Sequence, residues 1–239
     1  MKFKDTCFED CVRKDPALAT LRAEYAQKND AERRQAADWE YYESFAHTAF
    51  NAMLNTIGEG ENAPRWPSGM LALVIDPLFA PALLSVGSAE YQMFRKNEAM
   101  KLFRRLLELP PDTEDLYEII DKVGDFLLDE EDMDRAIEFY SDAVRAFPDA
   151  TSLKAGLGYC YGKKGVHREA CQWHSQACEE QPDNAKLLND FGWALYEAGN
   201  IQEAISVLER AVSLSPDDYE LARNNLGYVR QQAKNLNSE

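Results

Sequence analysis

The residues best suited to chemistry in this chain are three cysteines and a histidine. Cys171, His174 and Cys178 stand at i, i+3 and i+7, which is one face of a helix, and Cys160 lies on the segment before them. Thiolate and imidazole are ligand types that zinc accepts. The same residues also suit a packed interior, because free cysteine behaves as a small hydrophobe and His174 aligns with Tyr140 and Leu208 in the repeat set out below. Packing is the expected role, and a metal- or redox-responsive regulator is the alternative. Cys7 and Cys11 lack a second pair. A glycine-rich phosphate loop, a nucleophile elbow and a pair of histidines at metal-binding helical spacing are all missing. The sequence therefore predicts no catalytic activity, no cofactor and no metal site.

A second set of residues points to recognition. Glu118, Asp121, Asp125 and Asp129 are spaced by three or four, so a helix would carry four carboxylates on one surface. Residues 117–150 hold 11 acidic and 3 basic side chains, a balance of −8 against −16 for the whole chain.

These residues are placed by a 34-residue unit written three times without a gap, at 117–150, 151–184 and 185–218. Gly124, Gly158 and Gly192 fall in one column; Ala136, Ala170 and Ala204 in another; Ala143, Ala177 and Ala211 in a third; Pro148, Pro182 and Pro216 in the last. Such a period marks stacked supersecondary units, none of which can bury its apolar face alone. Ile120, Val123, Gly124 and Leu127 share one helical stripe, and Ala136, Tyr140 and Ala143 form that of a second helix, stopped by Pro148. Gly165 and Gly199 sit where the chain turns between the two. Each unit reads as a helical hairpin.

Two further units extend the array backwards. Residues 80–113 keep Val86-Gly87, Ala99, Phe103 and Pro111 in register, with Phe94-Arg95 in place of a turn glycine. Residues 46–79 read as a degenerate unit. Residues 1–45 form a helical extension, with Asp15-Pro16 as a helix start and a long helix from Asp30 to Gly58 that carries Trp39 and Tyr42 on one face. Lys2, Lys4, Arg13 and Lys14 give that extension the charge to fold onto an acidic face as a placeholder ligand. Residues 219–239 supply a terminal capping helix and tail.

The columns resemble the tetratricopeptide repeat family: Val123-Gly124, Leu127, Ala136, Tyr140 and Pro148 in one unit, Leu157-Gly158, Tyr161, Ala170 and Pro182 in the next, Phe191-Gly192, Leu195, Ala204, Leu208 and Pro216 in the last. The resemblance implies an all-α fold, a right-handed α-solenoid of stacked hairpins, and a concave groove lined by the first helix of each unit. The groove would present Tyr91, Glu118, Asp121, Asp125, Asp129, Tyr159, Asn189, Trp193 and Tyr196. An acidic middle flanked by aromatic anchors suits a protein or peptide segment with basic and apolar side chains. The family's mode of holding a C-terminal carboxylate between cations is not expected, because the corresponding places carry Asp121 and Asp125, or Leu84 and Ser88.

The net charge argues against nucleic acid or an anionic membrane as partner. Trp66 to Ala89 has a single charge, Asp76, but its three prolines divide it into two short helices and a turn. Charges stand where a signal peptide would have its apolar core, and the five cysteines have no disulfide spacing, so a reducing, cytoplasmic setting is expected. Self-association into a homo-oligomeric scaffold is the remaining alternative.

Overall fold

The computed structural model describes residues 6–44, 68–215 and 220–236. They are all helical or in connecting turns, with no strand among them. The fold is that of an all-α helical-repeat protein. The chain divides into two compact units, residues 1–123 and 124–239.

The first unit begins with two short helices, α1 (Phe8–Lys14) and α2 (Pro16–Tyr25). The Asp15 carboxylate accepts the Ala17 N–H at 2.9 Å and so caps α2. Helix α1 buries Phe8, Cys11 and Val12, and the Phe8 N–H donates to the Glu90 carboxylate. Arg13 and Lys14, expected to reach an acidic face, both pair with Asp10 on their own helix. The local pairing wins because i,i+3 and i,i+4 spacing brings the charges together at little entropic cost. Lys2 and Lys4 lie outside the described residues.

Helix α3 (Asp30–Asp38) opens with a capping box between Asn29 and Glu32 and winds on as a π-helix over Trp39–Ser44. Trp39 and Tyr42, expected on one face of a long helix, are 59% and 52% exposed. The rest of that expected helix, and residues 46–67 of the degenerate unit, lie outside the described residues. Helix α4 (Ser68–Ile75) buries Met70, Ala72, Leu73 and Val74. Asp76, buried at its end, binds Arg34 at 2.5 Å and accepts the Leu78 N–H at 3.0 Å. Helices α5 (Ala80–Gln92) and α6 (Lys96–Arg105) form the following hairpin.

Helix α7 (Leu116–Asp129) carries the chain from the first unit into the second. Then follow α8 (Met133–Ala146), α9 (Thr151–Lys163), α10 (His167–Glu180), α11 (Ala185–Glu197), α12 (Ile201–Leu214) and α13 (Glu220–Leu236). One packing rule recurs in each hairpin: a large side chain lies on the glycine sixteen residues before it. Phe103 covers Gly87, Tyr140 covers Gly124, His174 covers Gly158 and Leu208 covers Gly192. A Cβ at Gly192 would stand 2.6 Å from the Leu208 side chain, so alanine cannot enter without displacing that side chain.

The turns also repeat. Phe94, Glu131, Gly165 and Gly199 take φ values of 62°, 57°, 78° and 82°, and the next residue's N–H returns to a carbonyl five residues earlier, from Arg95 to Glu90, Asp132 to Leu127, Val166 to Tyr161 and Asn200 to Leu195. This is the helix end that glycine suits best. Two of the four turns make it with a bulkier residue.

Candidate functional site

The second unit leaves an aromatic and polar surface on α9, α11 and α13. Trp193 and Tyr196 rise one turn apart on α11, with ring centroids 5.4 Å from each other. Tyr228 of α13 closes the group at 5.9 Å from Trp193 and 5.6 Å from Tyr196. Helix α13 is held there by Leu226 and Val229, which pack with Leu195, Ala204 and Leu208. A hydrogen bond to Tyr228, with desolvation, raises the Tyr196 phenol above its ordinary range. Tyr228 remains 46% exposed and Tyr159 48% exposed.

Beside these rings lies a cavity of about 300 Å³, lined among others by Tyr159, Lys163, Asn189, Asp190, Trp193, Glu197 and Asn225, with His174 at its inner end. A polar chain crosses it. Asn225 Nδ2 donates to Asn189 Oδ1 at 2.9 Å, and Asn189 Nδ2 donates to Asp190 Oδ1 at 3.1 Å. Burial raises the Asp190 carboxyl above its usual range, opposed by the Asn189 hydrogen bond and the Lys186 charge. Lys163 Nζ stands 5.2 Å from the centroid of the Tyr159 ring, a cation held on an aromatic face. Glu197 faces His167 Nδ1 at 3.7 Å.

The expected site residues are thus divided. Tyr159, Trp193 and Tyr196 stand on the second unit's surface, and Asn189 is buried beneath it with both ends of its amide engaged. Asp125 and Asp129 are exposed, and partial burial together with the Asp129 charge raises the Asp125 carboxyl. In the first unit Glu118 pairs with Lys122 at 2.7 Å and Asp121 is half-buried. Tyr91 requires correction. It is 1% exposed with Lys96 Nζ 4.7 Å from its ring centroid, so it is a core residue and offers no face to a partner.

Asp190, Asn225 and Tyr228 escaped the sequence reading. Leu221, Asn225 and Tyr228 follow at i, i+4 and i+7, a second stripe of the capping helix beside its apolar one, and that spacing was the available signal.

Cys11, Cys160, Cys178 and His174 lie in the packed interior, while Cys7 and Cys171 are partly buried. Cys160 is fully buried and Cys178 nearly so, with thiols pushed up to about 12 and about 11 by desolvation. His174 is 4% exposed, and burial lowers it to about 4, so the ring is neutral. Among the described residues no three His, Cys, Asp or Glu side chains come together as a metal site. No described helix is long and apolar enough to cross a membrane.

Family models described as tetratricopeptide repeat match residues 185–218 and residues 80–113. Both stretches of the chain are thus tetratricopeptide repeats. Small glutamine-rich tetratricopeptide repeat-containing protein 2 of Mycosarcoma maydis is 25% identical over 130 residues, covering 54% of this chain and 37% of that protein. Tetratricopeptide repeat protein 30 homolog of Drosophila melanogaster is 30% identical over 80 residues, 32% of this chain and 12% of that protein. The chain thus spans well under half the length of these relatives. Among solved structures, YrrB, described as a tetratricopeptide repeat protein with an unusual peptide-binding site, is 19% identical with a TM-score of 0.50, covering 92% of this chain and 97% of YrrB. At that identity the likeness is one of fold.

Proposed function

We propose that this tetratricopeptide repeat protein is a non-catalytic interaction module, and that the surface of α9, α11 and α13 holds a peptide segment or helix bearing basic and apolar side chains. The observation that carries this reading is the aromatic group of Trp193, Tyr196 and Tyr228, kept half-exposed beside a carboxylate-bearing cavity. Half-exposed tyrosine and tryptophan supply large apolar contact at small entropic cost, which is why they dominate binding hot spots. Asp125 and Asp129 add negative charge to the same unit, and the chain's net −16 speeds the approach of a cationic partner. YrrB's described peptide site supports the general mode without specifying the ligand.

The test is selection from a random peptide library displayed on phage, with the whole chain as bait. Selected sequences should combine Lys or Arg with apolar residues, and their affinity should fall at least tenfold for Trp193→Ala/Tyr228→Ala and drop with added salt. Selected peptides that bind this double variant unchanged would contradict the assignment. Failure to select any peptide, with sedimentation showing mass that rises with concentration, would favour self-association instead.

A further inference from the structure

We infer that the cavity beside Trp193 is a receptor for one arginine side chain of the bound peptide, with Asp190 as its counter-charge. This rests on the peptide-binding reading above and specifies the residue the peptide must carry.

The hydrogen-bond inventory of the cavity leads to a cation. Asn225 and Asn189 are joined in one direction, each giving an amide N–H onward, and the chain ends on Asp190 Oδ1. Asp190 Oδ2 has no hydrogen-bond or ion-pair partner among the described residues. Its carboxylate is therefore oriented from behind, and because Asp190 is exposed its remaining acceptor capacity is open to an arriving cation. Glu197 adds a second carboxylate to the lining. The cavity's own cation, Lys163, rides on the Tyr159 ring and makes no ion pair with either. At the inner end the neutral His174 ring has an Nδ1 without a partner. Two carboxylates against one lysine leave the lining one positive charge short.

The shape selects guanidinium over ammonium. About 300 Å³ admits one long side chain, and Trp193 provides a flat wall. Guanidinium is planar, weakly hydrated, stacks on aromatic faces and carries five donors in a fork that matches a carboxylate. Lysine brings a strongly hydrated point charge and cannot stack in this way. The resident Lys163 on Tyr159 already shows a cation on an aromatic ring in this cavity.

The experiment is a two-dimensional NMR titration of the whole chain with N-acetyl-arginine amide, N-acetyl-lysine amide and N-acetyl-citrulline amide, repeated on Asp190→Asn. Citrulline keeps the shape of arginine and removes the charge. The arginine derivative should shift the Trp193 indole and Asn225 side-chain signals, binding several-fold more tightly than lysine, with citrulline inert and Asp190→Asn weakening arginine at least tenfold. Equal effects of arginine and citrulline, or arginine binding untouched by Asp190→Asn, would overturn the inference. If phage-selected peptides shift the same signals while the arginine derivative does not, the arginine receptor falls and the peptide surface stands. If neither shifts them, both fall. A preserved wild-type spectrum for Asp190→Asn away from the cavity separates lost recognition from lost folding.

Discussion

Where residues 124–239 carry Leu127, Tyr161 and Leu195, the hairpin of the first unit carries Glu90. Leu127 and Leu195 are buried among apolar neighbours, whereas Glu90, fully buried, binds Arg95 and accepts the N–H of Phe8. A helix that abuts another repeat can close the contact with a leucine. A helix that receives the first turn of an N-terminal extension meets unsatisfied N–H donors, and a carboxylate answers them. The departure from the repeat pattern thus marks the place where the extension is docked. The second unit keeps the pattern in its interior and departs from it on the surface, at Trp193, Asp190 and Tyr228. An exception inside a repeat core concerns assembly, and an exception on its surface concerns recognition.

The largest expected effect tests the first half of this contrast. Glu90→Leu restores the apolar type but removes an acceptor from Arg95 and from Phe8, and breaking a buried pair in this way costs about 3 kcal/mol. Hydrogen exchange should show residues 8–25 opening at least tenfold faster while residues 151–214 keep their protection. Unchanged exchange in 8–25 would break the comparison.

His174 gives an effect of similar size that depends on pH. Its folded value of about 4 lies below the ordinary 6.5, so the unfolded chain takes up the proton first as pH falls. The stability of the neutral buried ring is fully present above about pH 6.5 and is lost between there and pH 4, by about 3 kcal/mol at most. His174→Leu, the residue type of Leu208, should flatten that part of the stability profile relative to wild type in urea titrations. Parallel profiles would contradict the assignment.

Glycines separate packing from backbone freedom at a smaller scale. Gly192→Ala drives a methyl into Leu208 and should destabilise by about 1–3 kcal/mol. Gly227, with nothing within 4 Å of an added Cβ, should gain up to about 1 kcal/mol as alanine, because helix propensity alone changes. The smallest effects belong to the turns. Phe94→Gly and Glu131→Gly relieve a left-handed residue in each unit, and each should raise stability by roughly 0.5–1 kcal/mol in the same titrations. Phe94 is 92% exposed, so little packing is lost in exchange.

The period of 34 made the hairpins, the packed glycines and the turn positions readable from the sequence, because each is a short-range rule repeated in register. Tyr91 shows where that reading fails. It shares a column with the surface residue Tyr196, yet it is buried in its own unit, since exposure depends on what a neighbouring element covers and not on helical phase. Asp190 was hidden for the opposite reason. It aligns with Gly156 and Lys122, so its column carries no common chemistry, and its role comes from a hydrogen bond through Asn189 to Asn225, thirty-six residues further on. Trp193 and Tyr196 were legible as large aromatic residues on a face expected to be wet. The third ring, Tyr228, belongs to the helix whose expected role was only to end the array.

The central claim is tested most directly by a double-mutant cycle measured calorimetrically on one selected arginine-bearing peptide. Wild type and Asp190→Asn are each titrated with that peptide and with its arginine replaced by citrulline. Either change alone should weaken binding at least tenfold, and both together should weaken it little further, giving a coupling of about 1.5–3 kcal/mol for a charge-assisted contact. Losses that simply add would mean that Asp190 and the arginine do not meet, and the account of the second unit's surface would be wrong at its centre.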